Sequence, residues 1–508
     1  MELSPFDLLT FASFLAVVIG VSLYASRRED TSEDYFLAGR NLTWWLIGVS
    51  LIASNISTEH FVGMAGRGYE LGLAIASYEW MAAVTLVIVG WVFLPRFLRS
   101  GIFTIPEYLE YRYSLAARTL MAGYMMVAYI VVALATVLYS GALALEAIFE
   151  IDVMWGIWLI GTLAGAYTIY GGLKAVVWSD LIQGITLLVG GLVVMVLGFG
   201  AVGGVGAFMA ANADKLHTVL PWNHPEMPWV AVFVGGLWIP NLFYWGLNQF
   251  ITQRTLGARS LVEGQKGIVF AASLKLLIPF IIVFPGIMAY QLYGDAIANP
   301  DQAYPYMIAR ILPSGMRGVM FAALFGAVMS SLDSMVNSAS TIFTIDLYKR
   351  YVSPDASSHR LVGVGRIATA AFVVVACLWA PAVGAFGSVF NYIQMFWGFI
   401  TPGIVAVFLF GVFWWRVPAA AAVSAMVAGV PVYGLLLWQL PQVAFLHHMA
   451  ITFVVLSGLI VGITLQRPQA SPASMPEAPS VNLETSPAVR NAGIAVIVAT
   501  AVLYVIFW

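Results

Sequence analysis

The sequence predicts an all-α, polytopic membrane protein with 14 transmembrane helices, and three observations carry that prediction. Of 508 residues, 61% are hydrophobic and only 9% charged, against roughly 25% charged in ordinary soluble domains. A soluble fold of this size would lack the polar surface to cover itself. Apolar stretches of bilayer-spanning length recur along the whole chain. Two of them, at residues 50–60 and 238–249, are interrupted by Ser, Asn, Thr, Glu, His, Gln, Gly and Pro. In hydrocarbon, irregular or polar chain survives only where it lines a cavity or a site.

In chain order the apolar stretches fall at 5–25, 42–65, 72–95, 119–148, 153–172, 175–200, 228–251, 267–292, 317–344, 361–382, 386–412, 418–437, 445–466 and 491–508. The first is a membrane helix and not a secretion signal, because Arg27 and Arg28 follow it and no small-residue cleavage site stands out. Of the 23 basic residues, Arg67, Lys215, Arg310 and Arg317 fall on one side, Lys275 lies within a span, and all the others fall on the opposite side. The positive-inside rule puts that richer side in the cytoplasm and both termini outside, in the cell (inner) membrane. Residues 1–466 form one transporter-like membrane domain with core repeats at about 42–200 and 228–412. Residues 467–490, with five prolines, read as a flexible cytoplasmic linker to a peripheral last helix at 491–508. The interrupted segments are the second and the seventh, five crossings apart, which fits two inverted five-helix repeats around a midplane site.

The ninth segment carries Ser330, Ser331, Asp333 and Ser334. Hydroxyls and freed backbone carbonyls are the neutral oxygens a hard cation takes, although small polar residues also serve close helix packing. Glu79, Lys275, Asp180 and Asp333 are ionisable groups in or at the edge of apolar spans, a costly placement that points to function or to a structural ion pair. A carboxylate and an ammonium flanking a cavity are equipment for gripping a polyhydroxylated solute. Asn55, His60, Asn241, Tyr244 and Gln394 add amide, imidazole and phenol groups beside Tyr78, Trp238, Phe243, Trp245 and Trp397. Cys377, alone in an apolar setting, reads as a packing residue and excludes an internal disulfide. No basic patch or zinc spacing suggests nucleic acid.

These residues sit in stretches that resemble the sodium/solute symporter family, and within it the sodium/glucose–galactose cotransporters. The resemblance runs over about residues 10–470 through Asp34-Tyr-Phe-Leu-Ala-Gly-Arg40, Ser54-Asn55-Ile56-Ser57, Tyr78-Glu79-Trp80 and Tyr170-Gly-Gly-Leu-Lys-Ala-Val-Val-Trp-Ser-Asp180. It continues through Asn241-Leu-Phe-Tyr244-Trp245, Gln253-Arg254, Ser330-Ser331-Leu and Asn337-Ser-Ala-Ser-Thr-Ile-Phe-Thr-Ile-Asp346. The resemblance implies a LeuT-like core and import of a glucose- or galactose-like hexose coupled to sodium by alternating access. It implies a sodium site made by the carbonyls of Ala53, Ile56 and Ala327 with the hydroxyls of Ser330 and Ser331. Implied solute contacts are Asn55, His60, Glu79, Asn241, Lys275 and Gln394, with Tyr244 closing the solute off from the cytoplasm. His60 stands where the nearest bacterial members carry glutamine, whereas animal glucose members resemble this chain in carrying histidine there, which leaves the preferred epimer open. Asp333 departs from the small or hydroxyl residue usual there. With Ser334 and Asp180 it suggests a second cation site, since two carboxylates close together in low dielectric need a cation or proton between them.

Myo-inositol or another small polar organic solute is the alternative cargo. An intramembrane enzyme would need a nucleophile–base pair or metal cluster, which neither Cys377 nor the loop histidines supply. A passive channel has no use for two broken helices around a charged pair, and a sensor usually adds a soluble signalling domain. The expected partners are therefore sodium, a sugar and membrane lipid, with the oligomeric state open.

Overall fold

The computed structural model describes residues 4–26, 31–57, 59–149, 151–297, 299–386, 389–477 and 482–508. Among these, twelve helices are long and apolar enough to cross a membrane, and Trp44–Asn55 and Val153–Ala166 are shorter apolar helices. The chain is an all-α, polytopic membrane protein.

Helix α1 (Pro5–Ala25) starts on a reciprocal capping box between Ser4 and Asp7. Helix α2 (Trp44–Asn55) stops halfway through the expected 42–65 span. Ile56 is extended (φ −74, ψ 108), and the chain resumes as a π-helical turn, Glu59–Met64, and then α3 (Ala65–Leu71). Helix α4 is Ser77–Val92. Helix α5 (Leu115–Val127) runs through the π-helical Ala128–Leu134 into α6 (Ala135–Phe149). The spans expected at 153–172 and 175–200 form one helical run, α7 (Val153–Ala201), with its break at Gly172 (φ 52, ψ −149). That conformation is open to glycine, and a Cβ there would also meet Tyr35.

The second interruption mirrors the first in form. Helix α8 (Trp238–Leu242) passes into a π-helical turn, Phe243–Leu247, then an extended Asn248 (φ −88, ψ 120), then α9 (Gln249–Leu256). The rest are α10 (Leu261–Tyr293), α11 (Met316–Ile342), α12 (Ser358–Trp379), α13 (Val389–Phe413), α14 (Ala419–Gln439), α15 (Phe445–Gln466) and α16 (Pro487–Ile506).

Burial identifies the central elements. The hydrophobic window of the span containing α11 is 94% buried against 11% for α1. Helix α11 packs against α7, α2 and α9, and α10 packs against α2, α3 and α4. Two glycines let α2 lie close to α10. A Cβ on Gly48 would sit 2.9 Å from the Gly267 carbonyl, and one on Gly267 would sit 2.9 Å from the Trp44 carbonyl. Small residues permit such backbone approach where apolar driving force between helices is weak.

The C-terminal region is held to the rest of the protein at several points. The 467–490 segment is fastened at both described ends: Gln469 N–H donates to the Arg416 carbonyl (2.8 Å), and Leu261 N–H to the Asn482 carbonyl (2.9 Å). Positions 478–481 lie outside the described residues. Helix α16 is peripheral yet well seated, with the Tyr504 ring edge-on to Trp80 at 5.4 Å and Gly493 against Trp91. Such fastening depends on contacts between distant segments, which composition does not encode.

Candidate functional site

The first break brings four of the six expected solute contacts and the expected gate, Tyr244, into one buried network. Asn55 ends α2, His60 lies on the following π-turn, Glu79 stands in the first turn of α4, Lys275 is midway along α10, and Tyr244 lies on the π-turn after α8. The Lys275 ammonium donates to Glu79 Oε2 and to Asn55 Oδ1. Asn55 Nδ2 donates to Tyr244 Oη at 3.0 Å. Ser57 N–H, which an unbroken helix would direct to the Ala53 carbonyl, donates to His60 Nδ1 at 3.4 Å. With Nδ1 accepting, the imidazole proton sits on Nε2, 3.4 Å from Glu79 Oε1. Lys275 is fully buried and Glu79 is 4% exposed, so the pair is desolvated and its charges cancel. The Trp245 ring lies 4.9 Å from the ammonium and adds a cation–π contact.

The other expected solute residues stand apart from that network. Asn241 turns its amide back to the Leu237 carbonyl of its own helix, at 3.1 Å. Gln394 belongs to α13, but its side chain lies outside the described residues, as does Thr58 in the first break.

Below the first break, α2, α7, α9 and α11 meet around Asp180 and Arg254, both 0% exposed. Arg254 Nη2 pairs with Asp180 Oδ2 at 2.9 Å and also donates to Ser54 and Ser334, while Nε donates to Ser50 at 2.6 Å. Ser54 donates to Asp180 Oδ2 at 2.9 Å, and Ser330 to Asp180 Oδ1. Asp333 accepts from Ser179 (3.2 Å) and Ser334 (3.2 Å). Arg254 and Ser54 link Asp180 to Ser334, which bonds Asp333, so the three share one network in which the cation on Asp180 is Arg254. In the sequence, Arg254 counts among the cytoplasmic basic residues. The structure buries it, and the signal that could have found it is Asp180 itself, a mid-span carboxylate needing a partner.

The expected sodium oxygens straddle the same junction. Ala53, Ile56 and Ala327 are fully buried, and Ser331 Oγ reaches the Ser54 carbonyl at 3.3 Å, bridging α11 to the end of α2. Sodium bound there would take the lone pairs of hydroxyls that here act as donors.

The second break is sealed by a residue the sequence did not single out. Tyr129 Oη, from the π-turn between α5 and α6, donates to Asn248 Oδ1 and accepts from Phe250 N–H at 3.2 Å. Just after it, Gln249 accepts from Ile105 N–H (2.8 Å) and donates to the Phe103 carbonyl (3.1 Å).

Two discontinuous helices placed against one another around buried polar groups define a secondary transporter of LeuT-like fold. The fold matches that of a solved Na+-coupled sialic acid symporter in a substrate-bound outward-open state, with a TM-score of 0.83 and 24% identity over 93% of this chain and 100% of that one. Residues 35–429 match the sodium:solute symporter family, and the chain belongs to that family. It is 43% identical to a sodium/glucose cotransporter of Vibrio parahaemolyticus, over 100% of this chain and 99% of that protein. It is also 34% identical to human sodium/myo-inositol cotransporter 2, over 84% of this chain and 69% of that protein. It is a sodium-coupled symporter, not an enzyme, and sodium is its co-substrate.

Proposed function

We propose that this symporter imports a neutral polyhydroxylated solute of the hexose class, held at Asn55, His60, Glu79, Asn241, Lys275 and Gln394 and closed off from the cytoplasm by Tyr244. The observation that carries this reading is the charge-balanced Glu79–Lys275 pair, joined by Asn55, His60 and Tyr244 at the first helix break. A carboxylate accepts from hydroxyls, an ammonium donates to them, and an amide does both. A neutral polyol can take over these bonds without bringing net charge into a desolvated site, whereas a charged solute would leave one charge uncompensated. The 43%-identical Vibrio protein, named for glucose, supports the hexose class. The myo-inositol relative makes that cyclic polyol the second candidate.

Sodium is placed on the carbonyls of Ala53, Ile56 and Ala327 and the hydroxyls of Ser330 and Ser331. An ion there ties the broken α2 to α11. It shifts the outward–inward equilibrium only by its difference in affinity for the two states. A second cation is placed at Asp333 and Ser334, with Asp180 already served by Arg254. Fourteen crossings in two inverted five-helix repeats, in the cell (inner) membrane with both termini outside, complete the reading. The basic-residue bias and the paired breaks, at Ile56 and Asn248, support it.

Uptake of labelled galactose, glucose and myo-inositol into proteoliposomes, with and without an inward sodium gradient, tests the assignment. Accumulation of a hexose only under the gradient is expected. Sodium-driven uptake of myo-inositol alone would replace the hexose, and uptake of none of the three would remove the polyol reading. Asp333→Ala should lower the sodium-to-solute ratio from two to one, and an unchanged ratio would discard the second site.

A further inference from the structure

Helix α7 runs beside α11 as a ladder of polar pairs. Ser179 meets Asp333, Asp180 meets Ser330, and one turn beyond Asp180 on the same face stands Gln183, against Gly326. Gln183 is 0% exposed, and neither its Nε2 nor its Oε1 has a hydrogen-bond partner. A buried carboxamide left in this way costs free energy at both ends, and native interiors rarely keep one without a reason. The contact with Gly326 is close: a Cβ there would lie 2.9 Å from Gln183 Cγ, 3.2 Å from Cδ and 3.3 Å from Nε2. The next residue, Gly184, presses on Ala53, whose Cβ would be 2.7 Å from an added methyl. The Gln183–Gly184 pair thus wedges between the two segments, α2 at Ala53 and α11 at Gly326–Ala327, that hold oxygens of the sodium site.

We propose that Gln183 is a further residue of that site: its Oε1 replaces part of sodium's hydration as the ion enters the Ser330–Ser331 position. This rests on the sodium placement given above. A carboxamide suits the task because it supplies a neutral oxygen without adding a third carboxylate to a region that already holds Asp180 and Asp333. Its unpaired amide leaves the oxygen free to turn to an ion without first breaking a protein hydrogen bond. Gly326 leaves room for the carboxamide to rotate between the helices.

Sodium titration of the melting temperature tests this on the purified full-length chain, with potassium holding ionic strength constant and no sugar present. Because an ion that binds only the folded state raises stability with its concentration, the titration reads sodium affinity directly. Gln183→Leu should raise the half-saturating sodium concentration about tenfold, the scale of one lost ion–dipole contact. Gln183→Asn, which keeps a neutral carboxamide oxygen one methylene short, should shift it less than Gln183→Leu does. Ser331→Ala runs alongside as the control for the site itself. A Leu variant with a wild-type sodium response, beside a shifted Ser331→Ala, would make Gln183 a packing residue and overturn the proposal. A Ser331→Ala variant that also titrates as wild type would instead overturn the sodium placement beneath it. Should Gln183→Leu fail to assemble, Gln183→Met, unbranched and of similar length, carries the same expectation.

Discussion

The two helix breaks look equivalent in the sequence, and the structure uses them differently. At the first, polar groups turn toward side chains of other elements or of the break itself: Ser57 N–H to His60, the Ser54 carbonyl to Ser331, and the Asn55 amide to Lys275 and Tyr244. At the second, Tyr129 bonds the extended Asn248 itself and Phe250, the second residue of α9. On the proposed function the first break is offered to cargo, and the second is closed by the protein itself. Arg254 ties them together, since it follows the second break in sequence and bonds Ser50 and Ser54 ahead of the first. An unwound backbone at membrane depth thus identifies a place where polar groups gather, while its neighbours decide whether those groups remain available.

The sharpest way to break this contrast is Glu79→Ala. It should abolish sodium-driven solute uptake and leave Lys275 buried without its carboxylate, a loss of about 3–5 kcal/mol for a half-removed buried pair. Glu79→Ala with Lys275→Met should recover the melting temperature and still transport nothing. Normal uptake by the single variant would detach the first break from the cargo. Next in size is Arg254→Met. Stripping the guanidinium from Asp180 and three serines should cost stability on the same scale of about 3–5 kcal/mol, visible in thermal melts. An unchanged melt would mean that the breaks are not tied through this residue.

Tyr129→Phe should leave Asn248 Oδ1 and Phe250 N–H unsatisfied and lower stability by about 1–3 kcal/mol, with the sodium dependence of uptake unchanged. Altered sodium dependence in that variant would show the second break serving an ion after all. Ser331→Ala should do the reverse. Its melting temperature in potassium should stay near that of the wild type, while the sodium needed for half-maximal uptake rises about tenfold, or about 1.4 kcal/mol. These last two variants together separate a sealed break from an offered one.

Much of the candidate site was legible because charge and polarity are expensive in hydrocarbon. Glu79 and Lys275 stood out as ionisable residues in apolar spans, and the structure pairs them. The first break was marked by Ser, Asn, Thr, Glu and His among aliphatic residues and the second by Pro, Asn, Gly and Gln among aromatic ones, and both fall within the stretches expected. Arg254, Tyr129 and Gln183 carried no comparable mark. Arg254 lies beside a run of basic residues that read as cytoplasmic, yet it pairs with Asp180, 74 positions away. Tyr129 was one aromatic among many in an apolar span. Gln183 became visible only as a buried amide without a partner.

By itself the sequence determined the membrane-embedded helical class, the place of the apolar stretches, and the two points where the helix gives way. Those properties follow from local transfer energies and backbone hydrogen bonding, which each segment settles on its own. Only the tertiary structure decided which side chain answers which. Arg254 instead of a free cation on Asp180, Tyr129 across the second break, the linker fastened at both ends and Asn241 turned to its own helix all depend on helices far apart in the chain coming to rest a few ångströms from one another. Hydropathy fixes that a helix can lie in the membrane, and it leaves how deeply that helix is buried and which partner it meets to packing.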